Sequence, residues 1–254
     1  MIDLAIIVPS IRSYKIKRLF DSVGPSIGNY SFKFIVCGPY DASQYINCTY
    51  LHTLSSPNKC VQQAVNELTE DCKLIKWSTD DAVYFENTIS EMITDIYEYP
   101  NHFMICKYSE EGPPGWPSGR DDIYYHAQTH GDMKNLAGIK KEYMIAPVGM
   151  YYRDDFIKLG GLECSYEHIN MSTHDLAFRA QEYGIKPLIS KSVIMHCDSD
   201  NSQPEHFPLD IAHRNNDYPI FFNKYSKPNP LNKDNLIIDI NNYLSYENVW
   251  RRFK

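Results

Sequence analysis

Short, wholly apolar segments alternate with segments of helical periodicity near the start of the chain, and this alternation limits the possible folds strongly. Leu4-Ala5-Ile6-Ile7-Val8 is apolar and rich in β-branched residues, which is typical of a strand buried on both faces of a parallel sheet. A helical pattern follows over residues 14–23, and a second strand pattern covers residues 32–38. The opening therefore predicts a β-α-β unit.

The same alternation continues toward a pair of acidic residues. Residues 58–71 have helical spacing, and they lead into a strand-like segment, residues 73–79, that ends at Asp80-Asp81. Strands that alternate with helices predict a parallel sheet, whose ligands bind beyond the carboxyl ends of the strands. Asp80 and Asp81 are thus predicted to lie at the ligand-binding edge.

Further elements follow after a Pro- and Gly-rich segment. Residues 110–122 hold three Pro and three Gly and predict a loop that covers a site. The later predicted elements are a strand at 144–152, a helical turn at 154–159, a helix at 174–183 and a strand at 192–196. We expect an irregular wrap over the core at 198–230 and a docked helix at 234–252, with one domain and a tail in all.

Composition excludes several classes of function. The net charge is −7 over 254 residues, and no run of Lys and Arg exceeds two, so nucleic acid is not an expected partner. No apolar stretch is long enough to span a membrane, and Met1-Ile2-Asp3 leads into a strand without a signal-peptide pattern. Seven cysteines without metal-binding spacing predict reduced thiols. We expect a cytoplasmic protein, with peripheral membrane association left open.

The adjacent acids Asp80 and Asp81 indicate a cation site. Two neighbouring carboxylates repel each other unless a positive group joins them, and Mg²⁺ or Mn²⁺ prefers such hard oxygen ligands. An acidic chain that acts on a phosphate-bearing substrate also needs a local cation, either a bound metal ion or one or two Arg side chains. Taken alone, such a pair at a strand end is more often a solvated turn or a helix cap than a metal site.

The order of motifs along the chain resembles the family 2 glycosyltransferases. The nucleotide-binding half of that family is matched by residues 4–10, 32–38, 64–68 and 78–81. The second half is matched by Leu159-Gly160-Gly161-Leu162-Glu163, His174-Asp175-Leu176-Ala177-Phe178-Arg179, Gly184 and His196. The chain departs from the family pattern at His174, where Glu is usual, and at Glu67-Leu68, where a small residue and Gly are usual.

The resemblance implies an α/β fold of the GT-A type, with a single mixed, mostly parallel sheet flanked by helices. It would occupy residues 1–197, divided into a nucleotide-binding half, 1–100, and an acceptor half, 101–197. Residues 198–254 would form an irregular and helical C-terminal extension that packs on this domain. The oligomeric state is left open.

The resemblance also implies a metal-dependent, inverting glycosyltransferase of glycan biosynthesis, which moves a sugar from a nucleotide-diphosphate sugar to an acceptor hydroxyl of a sugar or glycan. Asp175 would be the general base, and Asp81 and His196 would bind Mn²⁺ or Mg²⁺. The donor would contact Pro9, Ser10, Arg12, Asp41 and Asp80. The acceptor would contact Trp116, Arg120, Gly161 and His174.

Other readings of these residues stay open. Asp175 precedes a helical run and would also serve as an N-cap, and His196 would also serve as a structural residue at a strand end. A non-catalytic carbohydrate- or nucleotide-binding protein with the same fold is the alternative from another class. A sugar-phosphate nucleotidyltransferase is a further alternative, although Val8-Pro9-Ser10-Ile11-Arg12 lacks the Gly-rich loop that it would need.

Overall fold

Nine strands within the described residues join in one sheet. The structure is a computed structural model, and it describes residues 1–45, 48–110, 123–124, 144, 148–197 and 207–225. In chain order the strands are β1 (Ile2–Pro9), β2 (Phe32–Gly38), β3 (Cys48–His52), β4 (Cys72–Trp77), β5 (Ala82–Tyr84), β6 (His102–Glu110), β7 (Ile123–Tyr124), β8 (Gly149–Tyr152) and β9 (Lys186–Cys197).

The sheet is mixed and mostly parallel, as predicted. Its order is β3-β2-β1-β4-β8-β6-β9-β5, and β7 pairs with β6. The first four strands in this order are parallel to one another. Strand β8 is antiparallel to both β4 and β6, and β6 is parallel to β9. Strands β1, β4 and β9 therefore end at the same edge of the sheet.

Helices cover both faces of the sheet. They are α1 (Ser13–Ile27), α2 (Pro57–Leu68), α3 (Thr88–Glu98), α4 (Arg153–Lys158) and α5 (Ile169–Glu182). Ile6 and Val8 of β1 pack in the core layer that holds α1 and α3, whereas Ala5 and Ile7 pack in the layer that holds α2, α4 and α5. Because both faces of β1 are buried, its sequence is continuously apolar.

Several helix and strand boundaries differ from the sequence prediction. Strand β2 has the predicted bounds, but α1 continues past Pro25 to Ile27. Helix α5 begins at Ile169, well before the predicted start at 174, because the Nδ1 atom of His168 accepts the N–H of Asn170 and caps the helix. Strands β3, β5, β6 and β7 and helix α3 had no counterpart among the predicted elements.

The C-terminal part of the described chain is helical, so the prediction of an irregular wrap is wrong over residues 207–225. Helix α6 (Phe207–Ala212), a π-helical turn (His213–Asp217) and helix α7 (Tyr218–Tyr225) follow one another directly. Phe221 and Tyr225 of α7 pack with Tyr166 and Phe178 in a third, smaller core cluster. This apolar burial holds the helical segment against α5.

Other predicted segments lie outside the described residues. They are residues 111–122 of the predicted loop and the predicted helix at 234–252. Within the described ranges, no helix is both long enough and apolar enough to cross a bilayer.

Close approach of two chain segments at the carboxyl edge requires a glycine at position 38. The Ser10 N–H donates to the carbonyl of Cys37 at 2.9 Å, which brings the segment after β1 against the end of β2. A Cβ atom on Gly38 would collide with the backbone carbonyl oxygen of Ser10. Glycine is therefore needed here for space.

We expect Gly38→Ala to destabilise the protein by about 1–3 kcal/mol, because the colliding atom belongs to the backbone and cannot rotate away. Gly24→Ala is the matched control: Gly24 lies within α1, and apart from its chain neighbours and the helix backbone a Cβ there meets no atom within 4 Å. Alanine favours a helix by up to about 1 kcal/mol over glycine, but a Cβ directly before Pro25 disfavours the helical backbone, so the control should be close to neutral. Urea unfolding of both variants measures the difference, and equal stability of the two would contradict the packing argument.

Candidate active site

The carboxyl ends of β1 and β4 bring two predicted site segments together. The strands are neighbours and parallel, with Ile7 in register with Trp77. The segment that holds Ser10 and Arg12 therefore lies beside the segment that holds Asp80. All four side chains of Ser10, Arg12, Asp80 and Asp81 are buried, although each belongs to a residue beyond a strand end. Burial of two carboxylates requires compensating donors.

Asp80 receives those donors from the segment after β1. Its Oδ2 atom accepts a hydrogen bond from the Ser10 hydroxyl at 2.7 Å and another from Arg12 Nε at 3.2 Å. Its Oδ1 atom accepts from Arg12 Nη2. The two-pronged contact with a guanidinium is the strongest common arrangement for a carboxylate. Asp80 is thereby fixed, and it fixes Arg12 in return.

The Asp81 carboxylate has fewer hydrogen-bond donors than the Asp80 carboxylate. Its Oδ2 atom accepts from Arg12 Nη2 at 3.2 Å, and its backbone carbonyl accepts from Arg18 Nη2 at 2.8 Å. Its Oδ1 atom is buried and has no hydrogen-bond partner. Burial raises the pKa of Asp81 and the charge of Asp80 raises it further, against the opposing influence of the Thr79 hydroxyl and the Arg12 and Lys15 charges. The ionised form of Asp81 is therefore under-compensated.

The end of β9 reaches the same edge. Strand β5 begins directly after Asp81, and its antiparallel pairing places Ala82 opposite Cys197 and Val83 opposite His196. Met195 and Cys197 belong to the core layer of α1 and α3, and His196 between them is partly buried. Among the residues that the structure describes, no three His, Cys, Asp or Glu side chains form a metal-binding group. Metal binding by Asp81 and His196 stays a prediction.

The other predicted donor residues lie at the same edge but make fewer contacts. Pro9 is the last residue of β1 and is partly buried. Asp41 follows β2, is exposed, and accepts the Ser43 N–H at 2.8 Å in a turn of its own. The structure therefore brings Ser10, Arg12 and Asp80 into one bonded group, and the contacts of Asp41 are local.

Gly161, predicted at the acceptor side, lies in a tightly docked segment. Gly160 and Gly161 both have positive φ angles, of 84° and 75°. The next residue, Leu162, donates its N–H to Gln62 Oε1 of α2 at 2.8 Å, and a Cβ on Gly161 would collide with the same side chain. The Gly-Gly pair thus joins the chain after α4 to helix α2.

The other residues predicted to contact the acceptor are His174, Trp116 and Arg120. His174 is buried in α5, whereas Trp116 and Arg120 lie outside the described residues.

Asp175 is fully buried in α5, and both of its oxygens are occupied. Oδ2 accepts from Arg179 Nε at 2.8 Å. Oδ1 accepts from Lys224 Nζ at 2.5 Å and from the Tyr225 hydroxyl, both of helix α7. Arg179 in turn donates to the backbone carbonyls of Leu159 and Gly161. One carboxylate thereby links α5, α7 and the Gly-Gly segment.

The charges and hydrogen bonds around Asp175 suit a structural role for this carboxylate. Burial alone would raise its pKa, but the charges of Lys224 and Arg179 and the hydrogen bonds from Lys224 and Tyr225 outweigh burial and lower the pKa to about 2. A carboxylate of such low basicity, with both oxygens occupied, accepts a further proton poorly. The role of Asp175 as general base stays a prediction, and the contacts assign it a structural role that the resemblance did not imply.

Three buried charged residues near α5 were not among the sequence-predicted site residues. Asp217, in the π-helical turn, accepts the N–H groups of Glu167 and His168 at 2.8 and 2.7 Å. Lys59 Nζ lies 3.7 Å from Glu167 Oε1, and both side chains are buried. No local pattern marks Asp217, because it lies in the segment that the composition assigned to an irregular wrap. Lys59 and Glu167 fall at predicted helix and loop positions where charged residues are common.

The sheet order and the flanking helices form a mixed α/β fold that is similar to a solved glycosyltransferase structure. The particular likeness is to S. aureus TarS. The crystal structure of its 1–349 fragment matches 97% of this chain and 73% of its own length, with a TM-score of 0.58 and 13% identity. The same fragment in complex with UDP-GlcNAc gives a TM-score of 0.56 at 12% identity, covering 92% of this chain and 72% of that one.

A third TarS structure, in complex with UDP, matches 85% of this chain and 67% of its own length, with a TM-score of 0.51 and 13% identity. No protein-family model matches the sequence, and no curated protein matches it. At such identities the likeness concerns the fold.

The Asp175 contacts predict a specific dependence of stability on pH. Because its pKa is about 2 when folded and near 3.8 when unfolded, the ionised form stabilises the folded state above about pH 4. That contribution, about 2 kcal/mol, should be lost as the pH falls from about 5 to 2. Asp175→Asn should lack this part of the pH dependence. It should also cost about 3–5 kcal/mol at pH 7, because Arg179 stays buried without its partner.

Urea unfolding at several pH values measures both effects. Asp154→Asn is the matched control, because the Asp154 side chain is 99% exposed and should contribute little to either. An unchanged pH profile in Asp175→Asn would refute the anchoring role.

Proposed function

We propose that this protein is a glycosyltransferase that moves a sugar from a nucleotide-diphosphate sugar to an acceptor hydroxyl of a sugar or glycan. The observation that carries the proposal is Asp81, a buried and under-compensated carboxylate at the carboxyl edge of a glycosyltransferase-like sheet. TarS, which shares the fold, has been crystallised with UDP and with UDP-GlcNAc. A uridine nucleotide-sugar is therefore the first donor to test.

The residues at this edge would hold a divalent cation such as Mn²⁺ or Mg²⁺ together with a phosphate-bearing donor. Asp81 Oδ1 is a hard oxygen ligand that is buried and free of hydrogen bonds. Asp81 would hold the ion, with His196 as the further ligand that the resemblance implies, and phosphate oxygens and water would complete the coordination. When bound, such an ion would neutralise charge on the departing diphosphate.

The chain's own residues would divide the remaining work. Ser10 and Arg12 hold Asp80 at the donor side, which fixes the backbone that carries Asp81. On the acceptor side, Arg179 holds the carbonyls of the Gly-Gly segment and so fixes its path beside α2. Such pre-formed positioning lowers the entropic cost of bringing donor and acceptor together.

The finer proposal is an inverting displacement with Asp175 as the base. An acceptor hydroxyl would reach Asp175 only where the contacts with Lys224 and Tyr225 give way, because these two side chains occupy Oδ1. The ion pair with Arg179 would stay in place on Oδ2. Loss of the Lys224 and Tyr225 contacts would also raise the basicity of the carboxylate.

The acid pair allows a test in which activity and stability change in opposite directions. Asp81→Asn should reduce metal-dependent hydrolysis or transfer of the donor by on the order of a hundredfold. Its free energy of unfolding should stay equal or rise, because the raised pKa means that ionised Asp81 opposes folding above about pH 4. Asp80→Asn should instead lose stability, since Ser10 and Arg12 lose a charged partner.

Release of nucleoside diphosphate from a panel of nucleotide-sugars, with and without Mn²⁺, measures activity, and urea unfolding measures stability. A preceding thermal-shift screen identifies the donor, since a ligand at 100 times its Kd stabilises by about 2.7 kcal/mol. A wild-type protein that binds a nucleotide-sugar but neither hydrolyses nor transfers it would favour a non-catalytic binding protein. Absence of any nucleotide-dependent shift would refute the proposed function.

A further inference from the structure

The acid pair carries its own positive partner. Arg12 is 5% exposed and contacts the carboxylates of both Asp80 and Asp81 through one guanidinium. Burial alone would lower the pKa of Arg12, but its bonds to Asp80 and the charges of both acids raise it, so it stays charged. The buried group therefore holds one positive and two negative charges.

The backbone holds Arg12 in place for this contact. The Ser10 hydroxyl donates to Asp80 and accepts the N–H of Arg12 at 3.0 Å, which closes a ring of contacts between the two segments. The carbonyl of Arg12 accepts the N–H of Lys15 at 2.9 Å at the start of α1. The guanidinium thus projects from a fixed point, between the end of β1 and the first turn of a helix.

This arrangement leaves little capacity for a metal ion. Arg12 neutralises one of the two charges, and the oxygen that stays free of hydrogen bonds is Asp81 Oδ1. Mg²⁺ and Mn²⁺ take about six oxygen ligands, and the described residues contain no group of three candidate side chains. A phosphate-bearing ligand would supply both the missing oxygens and the missing negative charge.

We propose that Arg12 is the resident counter-ion of the Asp80–Asp81 pair and that it makes divalent-cation binding depend on a phosphate-bearing ligand. Arg12 keeps the metal-free protein stable and keeps its metal affinity low. The nucleotide part of this proposal rests on the proposed function, whereas the counter-ion part concerns the protein without ligand.

The first test is titration with Mn²⁺ alone. Binding is measured by calorimetry or from the electron paramagnetic resonance signal of free Mn²⁺. Arg12→Met removes the cation that contacts both carboxylates and leaves the weaker influence of Lys15 and Arg18, so it should bind Mn²⁺ at least about tenfold more tightly than the wild type. Arg12→Lys keeps the charge and should stay near the wild type. Lys17→Met removes one positive charge from an exposed position of helix α1, and it should also leave the affinity unchanged. Binding by Arg12→Met that is no tighter than wild-type binding would overturn the proposal.

The second test is a double-mutant cycle on thermal stability without metal or nucleotide. Arg12→Met should lower Tm, and Asp81→Asn should raise Tm more in the Arg12→Met background than in the wild type, because it removes the uncompensated repulsion. If Arg12→Met alone does not fold, the double variant should fold. Equal effects of Asp81→Asn in both backgrounds, or an unfolded double variant, would contradict the counter-ion role.

The third test adds UDP to the Mn²⁺ titration. UDP should tighten Mn²⁺ binding to the wild type at least about tenfold, and the gain should be smaller in Arg12→Met, which already binds the metal. A wild type that binds UDP without any gain in Mn²⁺ affinity would overturn the nucleotide dependence. Failure of the proposed function would be seen separately, as the absence of any nucleotide-dependent thermal shift. The double-mutant cycle tests the counter-ion role independently of any nucleotide.

Discussion

A carboxylate can be buried in a protein only where cations or hydrogen-bond donors surround it, and this constraint organises both halves of the structure. Arg12 meets it for Asp80, and Arg179 meets it for Asp175. Each arginine also holds chain segments that are distant in sequence. The first joins the end of β1 to the end of β4, and the second joins α5 to the Gly-Gly segment. The carboxyl edge of the sheet is thus fixed by charge as much as by apolar packing.

The second of these networks brings the C-terminal helices into the body of the protein. Lys224 and Tyr225 reach Asp175 across about fifty residues of sequence, and the aromatic contacts of Phe221 and Tyr225 with Phe178 bury the same surface. Asp217 adds a further link by accepting two backbone N–H groups just before α5. Helices α6 and α7 therefore help to set the geometry around Asp175, in addition to covering α5.

The sequence predicted best the elements that are apolar over most of their length. Strand β2 was predicted with its observed bounds because it contains no charged residue apart from Lys33 and is fully buried from Phe34 to Gly38. The start of α5 was missed because its cap is the ring nitrogen of His168, which is an unusual N-cap residue. Helix α7 was missed because its position depends on contacts with Asp175 and Phe178, which no local pattern reveals.

The candidate site was predictable to a similar degree. Order along the chain placed Asp80 and Asp81 at the carboxyl edge, because the parallel topology itself brings strand ends together. What the sequence could not give was the identity of the partner of each carboxylate. The expected neutralising cation was a metal ion, whereas the structure places Arg12 against both acids. Arg12 and Asp80 are 68 residues apart, and their pairing depends on three-dimensional packing. No local sequence pattern predicts it.

Asp175 and Asp81 are both buried carboxylates, but they differ in their hydrogen bonds and in the direction of their pKa shifts. Asp175 has both oxygens bonded and a lowered pKa, so its ionised form stabilises the folded chain. Asp81 has one oxygen without a partner and a raised pKa, so its ionised form opposes folding. A protein retains such an unfavourable group where a ligand supplies the missing charge, because binding then releases the stored repulsion. By this reasoning we place the proposed donor and its cation at the under-compensated carboxylate, and not at the fully bonded one.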